Sequence, residues 1–179
     1  MRFRDLGSPD AIHNALARYT ESGTIRQLAR GLYDYPRQHP KLGLLTPSAD
    51  IVAEAIASRD ATRLQPAGGY AANLLGLSDQ IPMKVVFLTD GPTRSVTLGK
   101  QTITLKKTTP KNMAAAGKTS GLVIQALRHL GQRHADDATV NTLRQRLSDD
   151  DKRQLLKDLK HAPAWVADIM RQVATLDPS

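Results

Sequence analysis

Apolar residues at Ile12, Ala15, Leu16 and Tyr19 fall three and four apart, the stripe of a short amphipathic helix. Ser8 as N-cap, Pro9 at the first helical position and Asp10 beside the positive end of the dipole predict where it starts. Gly23 marks its stop. His13, Asn14, Ala17 and Arg18 then share the polar face. The period changes at Thr24. Residues 24–28 and 32–35 read as β-prone runs joined by Ala29-Arg30-Gly31, with glycine at the left-handed position of a three-residue hairpin loop. This register sets Leu28 opposite Leu32 and Arg26 opposite Asp34, with Arg30 at the tip. Pro36, Pro40 and Gly43 are expected to end the unit and form a linker.

Further on, residues 48–59 predict a helix burying Ile51, Val52, Ala55 and Ile56. Residues 62–65 suggest a short strand before Pro66, and the small-residue run 69–77 a helix ending at Gly76. KVVFL (84–88) is a continuous apolar run of buried-strand length. Residues 94–107 predict a second hairpin turning at Gly99-Lys100, pairing Val96 with Ile103 and Thr97 with Thr102. One of its sides is apolar, and the other is rich in Thr and Lys. Four helices follow, at 120–130, 137–147, from Ser148, and from Pro163. The third carries Leu155, Leu156 and Leu159 and starts with Ser148 and Asp151 at capping-box spacing. The last buries Trp165, Val166, Ile169, Met170 and Val173. The fold class is therefore mixed α+β, with an N-terminal helix-hairpin unit over 1–41 and a larger α/β domain over 46–179 ending in helices.

Charge sharpens this picture. The chain of 179 residues carries a net charge of +8, which favours a polyanionic partner. Residues 1–41 hold seven Lys/Arg against four Asp/Glu, and residues 84–134 hold nine against one. The segment between them and the segment after them are mildly acidic. Lys100, Lys106, Lys107, Lys111 and Lys118 make the second basic stretch a candidate surface of its own. There is no cysteine, which removes disulfides and thiolate chemistry. No apolar run approaches a membrane span, and no signal-like core follows the N-terminus, so a soluble cytoplasmic protein is the default.

Catalytic chemistry finds little support. AAAGKTS (114–120) ends like a phosphate-binding loop, but Asn112 stands where the first glycine belongs and no buried strand precedes it. A helix break followed by Thr119 or Ser120 as N-cap is the expected alternative. The five histidines, His13, His39, His129, His134 and His161, show no metal-ligand spacing. Asp149-Asp150-Asp151 reads as a helix start complementing the dipole. No cofactor or metal is expected. The helix-hairpin fares better: a helix fits the major groove, where Asn or Arg reads base edges, and a basic hairpin tip reaches the backbone or minor groove.

GTIRQLARGLYDYP (23–36) resembles the wing of AbiEi-type antitoxins of type IV toxin–antitoxin systems. The likeness continues through LQPAGGYAANLLGLSDQIP (64–82), VVFLTDGPTR (85–94), GLVIQALRHLG (121–131) and LSDDDKRQLLKDLKHAPAWV (147–166). The resemblance implies an N-terminal winged helix-turn-helix that binds promoter repeats on double-stranded DNA and represses its own operon. It also implies counteraction of a nucleotidyltransferase-like toxin, with direct contact left open. Carried onto this chain, the DNA-reading positions are Ser8, His13, Asn14, Arg18, Arg26, Gln27 and Arg30. Relatives carry a further helix before Phe3, so the winged domain is expected to lack its first helix. Two other readings stand beside this one: a protein-interaction module acting through the C-terminal domain, and a nucleotide-dependent modifying enzyme resting on AAAGKTS.

Overall fold

The computed structural model describes residues 7–41 and 43–175. Phe3 and Leu6, from which the sequence predicts one or two short helical turns before Gly7, lie outside them. The order is α1 (Pro9–Glu21), β1 (Arg26–Ala29), β2 (Leu32–Asp34), β3 (Arg37–His39), β4 (Gly43–Leu45) and α2 (Ala49–Asp60). Then come β5 (Leu64–Ala67), α3 (Gly68–Leu74), β6 (Lys84–Thr89), β7 (Arg94–Leu98) and β8 (Gln101–Lys107). The helices α4 (Thr119–Leu130), α5 (Asp137–Arg146), α6 (Asp149–Asp158) and α7 (Ala164–Ala174) complete the chain. The mixed α+β class is as the sequence suggests.

Strands β5 to β8 form one sheet in the order β5-β6-β8-β7, with β6 and β8 parallel and the other neighbours antiparallel. Because side chains alternate along a strand, Val85, Phe87, Val96, Ile103 and Leu105 share one face. That face packs on Ala49, Val52, Ala53 and Ile56 of α2 to make one hydrophobic cluster. The β7–β8 hairpin has the expected register, with Val96 opposite Ile103 and Thr97 opposite Thr102.

A second cluster gathers the helices, with Leu127 of α4, Leu143 of α5, Leu155 of α6 and Met170 of α7 all fully buried. Helix α3 joins it through Ala71 and Ala72. Gly121 near the start of α4 is there for closeness. A Cβ at that position would stand 2.2 Å from the Ala115 carbonyl oxygen and 2.4 Å from Gln65 Oε1.

Several expectations are corrected. The linker after Pro36 is instead a second hairpin, β3–β4, with Arg37 opposite Leu45 and His39 opposite Gly43. Its prolines flank the strands or sit in the turn, where no ladder N–H is needed. In the first hairpin Arg26 does face Asp34, but Ala29, not Leu28, stands opposite Leu32, with an irregularity between Gln27 and Ala29. On α2 the buried face is turned from the expected one. Ile51 is 59% exposed and Ala55 is exposed, while Ala49, Ala53 and Ala57 are buried. Small residues let the helix sit close on the sheet, and counting only the bulky ones misplaces the face. Pro66 lies inside β5 rather than after it, tolerated because β5 is an edge strand. Leu156 is 47% exposed, and Trp165 is only partly buried.

Candidate nucleic-acid interface

Helix α1 forms as its local chemistry dictates. Ser8 Oγ accepts from the Ala11 amide at 3.3 Å, Pro9 occupies the first turn, and Asp10 meets the positive dipole end. No residue of α1 is buried. His13, Asn14 and Arg18 are fully on the outside, and Ile12, Ala15 and Leu16 are half-buried on the opposite side. Tyr19 is 46% exposed, with the Arg18 guanidinium carbon 5.8 Å from its ring centre. After Ser22 the chain turns at once, and the Ile25 amide donates to the Tyr19 carbonyl at 3.2 Å.

The β1–β2 hairpin carries Arg30 and Gly31 at its exposed tip, with Gly31 at φ +74°. Left-handed backbone is costly for any residue with a Cβ, so glycine suits the position. Gln27 is exposed on β1. Arg26 is not available to DNA in the way the sequence suggests. Its Nη2 donates to Asp34 Oδ2 at 2.5 Å and to the Leu45 carbonyl at 3.0 Å, tying the two hairpins together. The inner side of the first hairpin is not free either: Leu28, Ala29 and Leu32 pack against the α2–sheet cluster.

A groove of about 730 Å³ opens where the hairpin tip meets the body. Arg30 and Gly31 form one rim, Arg59 of α2 a second, and Arg94 at the start of β7 a third, over Ile56 and Val96. Arg94 Nε donates to Asp60 at 2.7 Å and Arg59 Nε to the same carboxylate at 3.2 Å. Burial pushes the Asp60 carboxyl up, but these two guanidiniums outweigh that and hold it below the usual Asp range. One carboxylate thus serves two arginines. Arg59 and Arg94 were not among the sequence candidates, because only the packing of α2 and β7 under the hairpin brings them to Arg30.

The second basic stretch is not gathered on one face. Lys100 sits in the β7–β8 turn and Lys107 at the far end of β8, about 20 Å away at the rise of a strand. Lys106 and Lys107 are neighbours on that strand and so point to opposite faces. Lys111 lies by Arg128 and His161 in a small cleft beside α4. Lys118 is held by Asp158 at 3.3 Å.

That last contact explains AAAGKTS. Lys118 itself is the N-cap of α4, and neither Thr119 nor Ser120 caps it, contrary to expectation. Thr119 Oγ1 donates instead to Asp151 Oδ1 at 2.5 Å and Ser120 Oγ to Asp158. Asp151 in turn closes the capping box with Ser148 that starts α6. The segment's polar groups are therefore spent on fastening α4 to α6. Among the described residues no helix is long and apolar enough to cross a membrane.

A sheet backed by α2 on one face, a helical layer, and an exposed N-terminal helix followed by two short hairpins define a mixed α+β protein. The chain belongs to the family of unknown function DUF6088, whose model matches residues 1–155. No curated protein and no solved structure matches it.

Proposed function

We propose that the chain is a double-stranded-DNA-binding regulator of the antitoxin kind, repressing its own operon and counteracting a nucleotidyltransferase-like toxin. The observation that carries the DNA reading is the exposed polar face of α1, with His13, Asn14 and Arg18, immediately followed by a hairpin bearing Gln27 and a solvent-facing Arg30. Helix and hairpin together supply a groove-reading element and a backbone-reaching one. Ser8 keeps its capping duty at the exposed helix start, where amide donors favour a phosphate. The antitoxin role rests on the resemblance to AbiEi-type proteins.

Gel retardation on the DNA upstream of the gene tests this. Specific binding is expected to weaken steeply with salt, and Arg30→Ala to reduce the slope of log K against log salt by about one. Asn14→Ala should cost about 1–3 kcal/mol on the operator and less on random DNA. Wild-type binding no tighter on the upstream region than on random DNA would refute the reading.

A second reading, direct grip on the toxin, is favoured by Leu74, Ile81 and Met83, which are 42%, 81% and 56% exposed around the α3–β6 loop. Co-purification with the toxin at moderate salt, lost on Ile81→Asp, would support it.

A further inference from the structure

The groove under the first hairpin is shaped for something smaller than a duplex. We infer that it binds a small phosphorylated organic anion of nucleotide size. Its volume, about 730 Å³, lies within the range of roughly 300–1,000 Å³ typical of small-molecule sites. Three arginines line it, Arg30, Arg59 and Arg94, and none of its lining residues is acidic. One carboxylate, Asp60, is shared by two of them, which leaves the three arginines with a surplus of two positive charges over it. Both paired side chains stay accessible, Arg59 at 47% and Arg94 at 40%. Only the Nε edge is used in each case, so the terminal nitrogens remain for a bidentate contact to phosphate.

Below the charges lie Ile56 and Val96, both buried, with Leu32 as a wall. An apolar floor beneath a cationic rim suits a ligand with a flat or hydrophobic body and an anionic end. Gly31 lies 3.7 Å from Arg59 Nη1 when measured from the place a Cβ would take, which sets the Arg59 guanidinium beside the hairpin tip. The site uses none of the AAAGKTS residues. Because Arg30 belongs both to this groove and to the hairpin tip, an occupant would withdraw its charge from DNA. That coupling, unlike the site itself, rests on the DNA reading above.

Calorimetric titration of the full chain with ATP, inorganic tripolyphosphate and adenosine, at low ionic strength and without DNA, tests the site. ATP should bind more tightly than tripolyphosphate, and adenosine should give no signal. Arg30→Ala and Arg59→Ala should each weaken ATP about tenfold or more, the range of a charge-assisted hydrogen bond. Arg30→Ala serves as the folded control, its side chain being exposed at a hairpin tip. Lys118→Met should leave ATP affinity unchanged. No binding of ATP by the wild type, undiminished wild-type affinity in both arginine variants, tripolyphosphate binding as tightly as ATP, or loss of binding in Lys118→Met would each overturn the inference. Failure here leaves the DNA reading standing, and a failed retardation assay leaves the groove standing.

Discussion

Asp158→Ala should lower stability by about 2–4 kcal/mol without touching any proposed binding surface. The carboxylate is 4% exposed and accepts from Ser120 Oγ, from Gln154 Nε2 at 2.8 Å and from Lys118 Nζ at 3.3 Å. Removing it leaves the fully buried Ser120 hydroxyl without its acceptor, a loss of about 1–3 kcal/mol. Lys118 is 44% exposed and can return to water, so the total stays at the low end of what breaking a buried ion pair costs, about 3–5 kcal/mol. For a chain of this length the melting temperature should fall by roughly 5–15 °C. The pH dependence has a definite sign. Burial pushes Asp158 up, but the hydrogen bonds from Ser120, Gln154 and Lys118 outweigh it and hold the group below the ordinary Asp value. Its stabilisation is therefore complete above an unfolded-chain pKa of about 3.9 and is lost as pH falls through the lower folded one. Urea denaturation of wild type and variant at neutral and acid pH measures both effects. A loss under about 0.5 kcal/mol at neutral pH, or a gap that does not narrow on acidification, would refute the reasoning.

Two further perturbations probe other joints. Gly121→Ala should destabilise by about 1–3 kcal/mol or more, because the new methyl meets the Ala115 carbonyl and Gln65 at contact-forbidden distances; a wild-type thermal transition would contradict that packing. Arg26→Ala should free the β3–β4 hairpin from the first by removing the bonds to Asp34 and Leu45, seen as faster amide exchange in both hairpins, while DNA affinity falls less than in Arg30→Ala.

What the sequence made legible was largely local chemistry. Ser8, Ser48 and the Ser148–Asp151 box start their helices within four residues of themselves, and Gly99-Lys100 with alternating Val96 and Ile103 was enough to set the β7–β8 register. Where several alanines form the contact, as on α2, counting bulky residues misplaced the buried face. The β3–β4 hairpin was hidden because Pro36, Pro40 and Gly43 read as breakers when they are the ends and turn of a ribbon. Of the candidate site, the exposure of His13 and Asn14 followed from helical periodicity and that of Arg30 from the hairpin turn, while Gln27 entered only through the family resemblance. The engagement of Arg26 by Leu45, and the meeting of Arg30 with Arg59 and Arg94, depend on residues 19 or more positions apart. No window short enough to show a period contains both partners.

The seating of Leu28, Ala29 and Leu32 on the α2–sheet cluster has an entropic consequence for anything that meets Arg30. Fixing a loose residue's backbone costs about 1–2 kcal/mol, repeated for every residue ordered. Here that cost is met during folding, when the hairpin's inner side joins the core. A phosphate arriving at the tip has only the Arg30 side chain left to order, at a cost of up to about 2 kcal/mol. Loosening the seat, for example by trimming Leu32, would return that cost to the binding step and weaken affinity without removing a single charge.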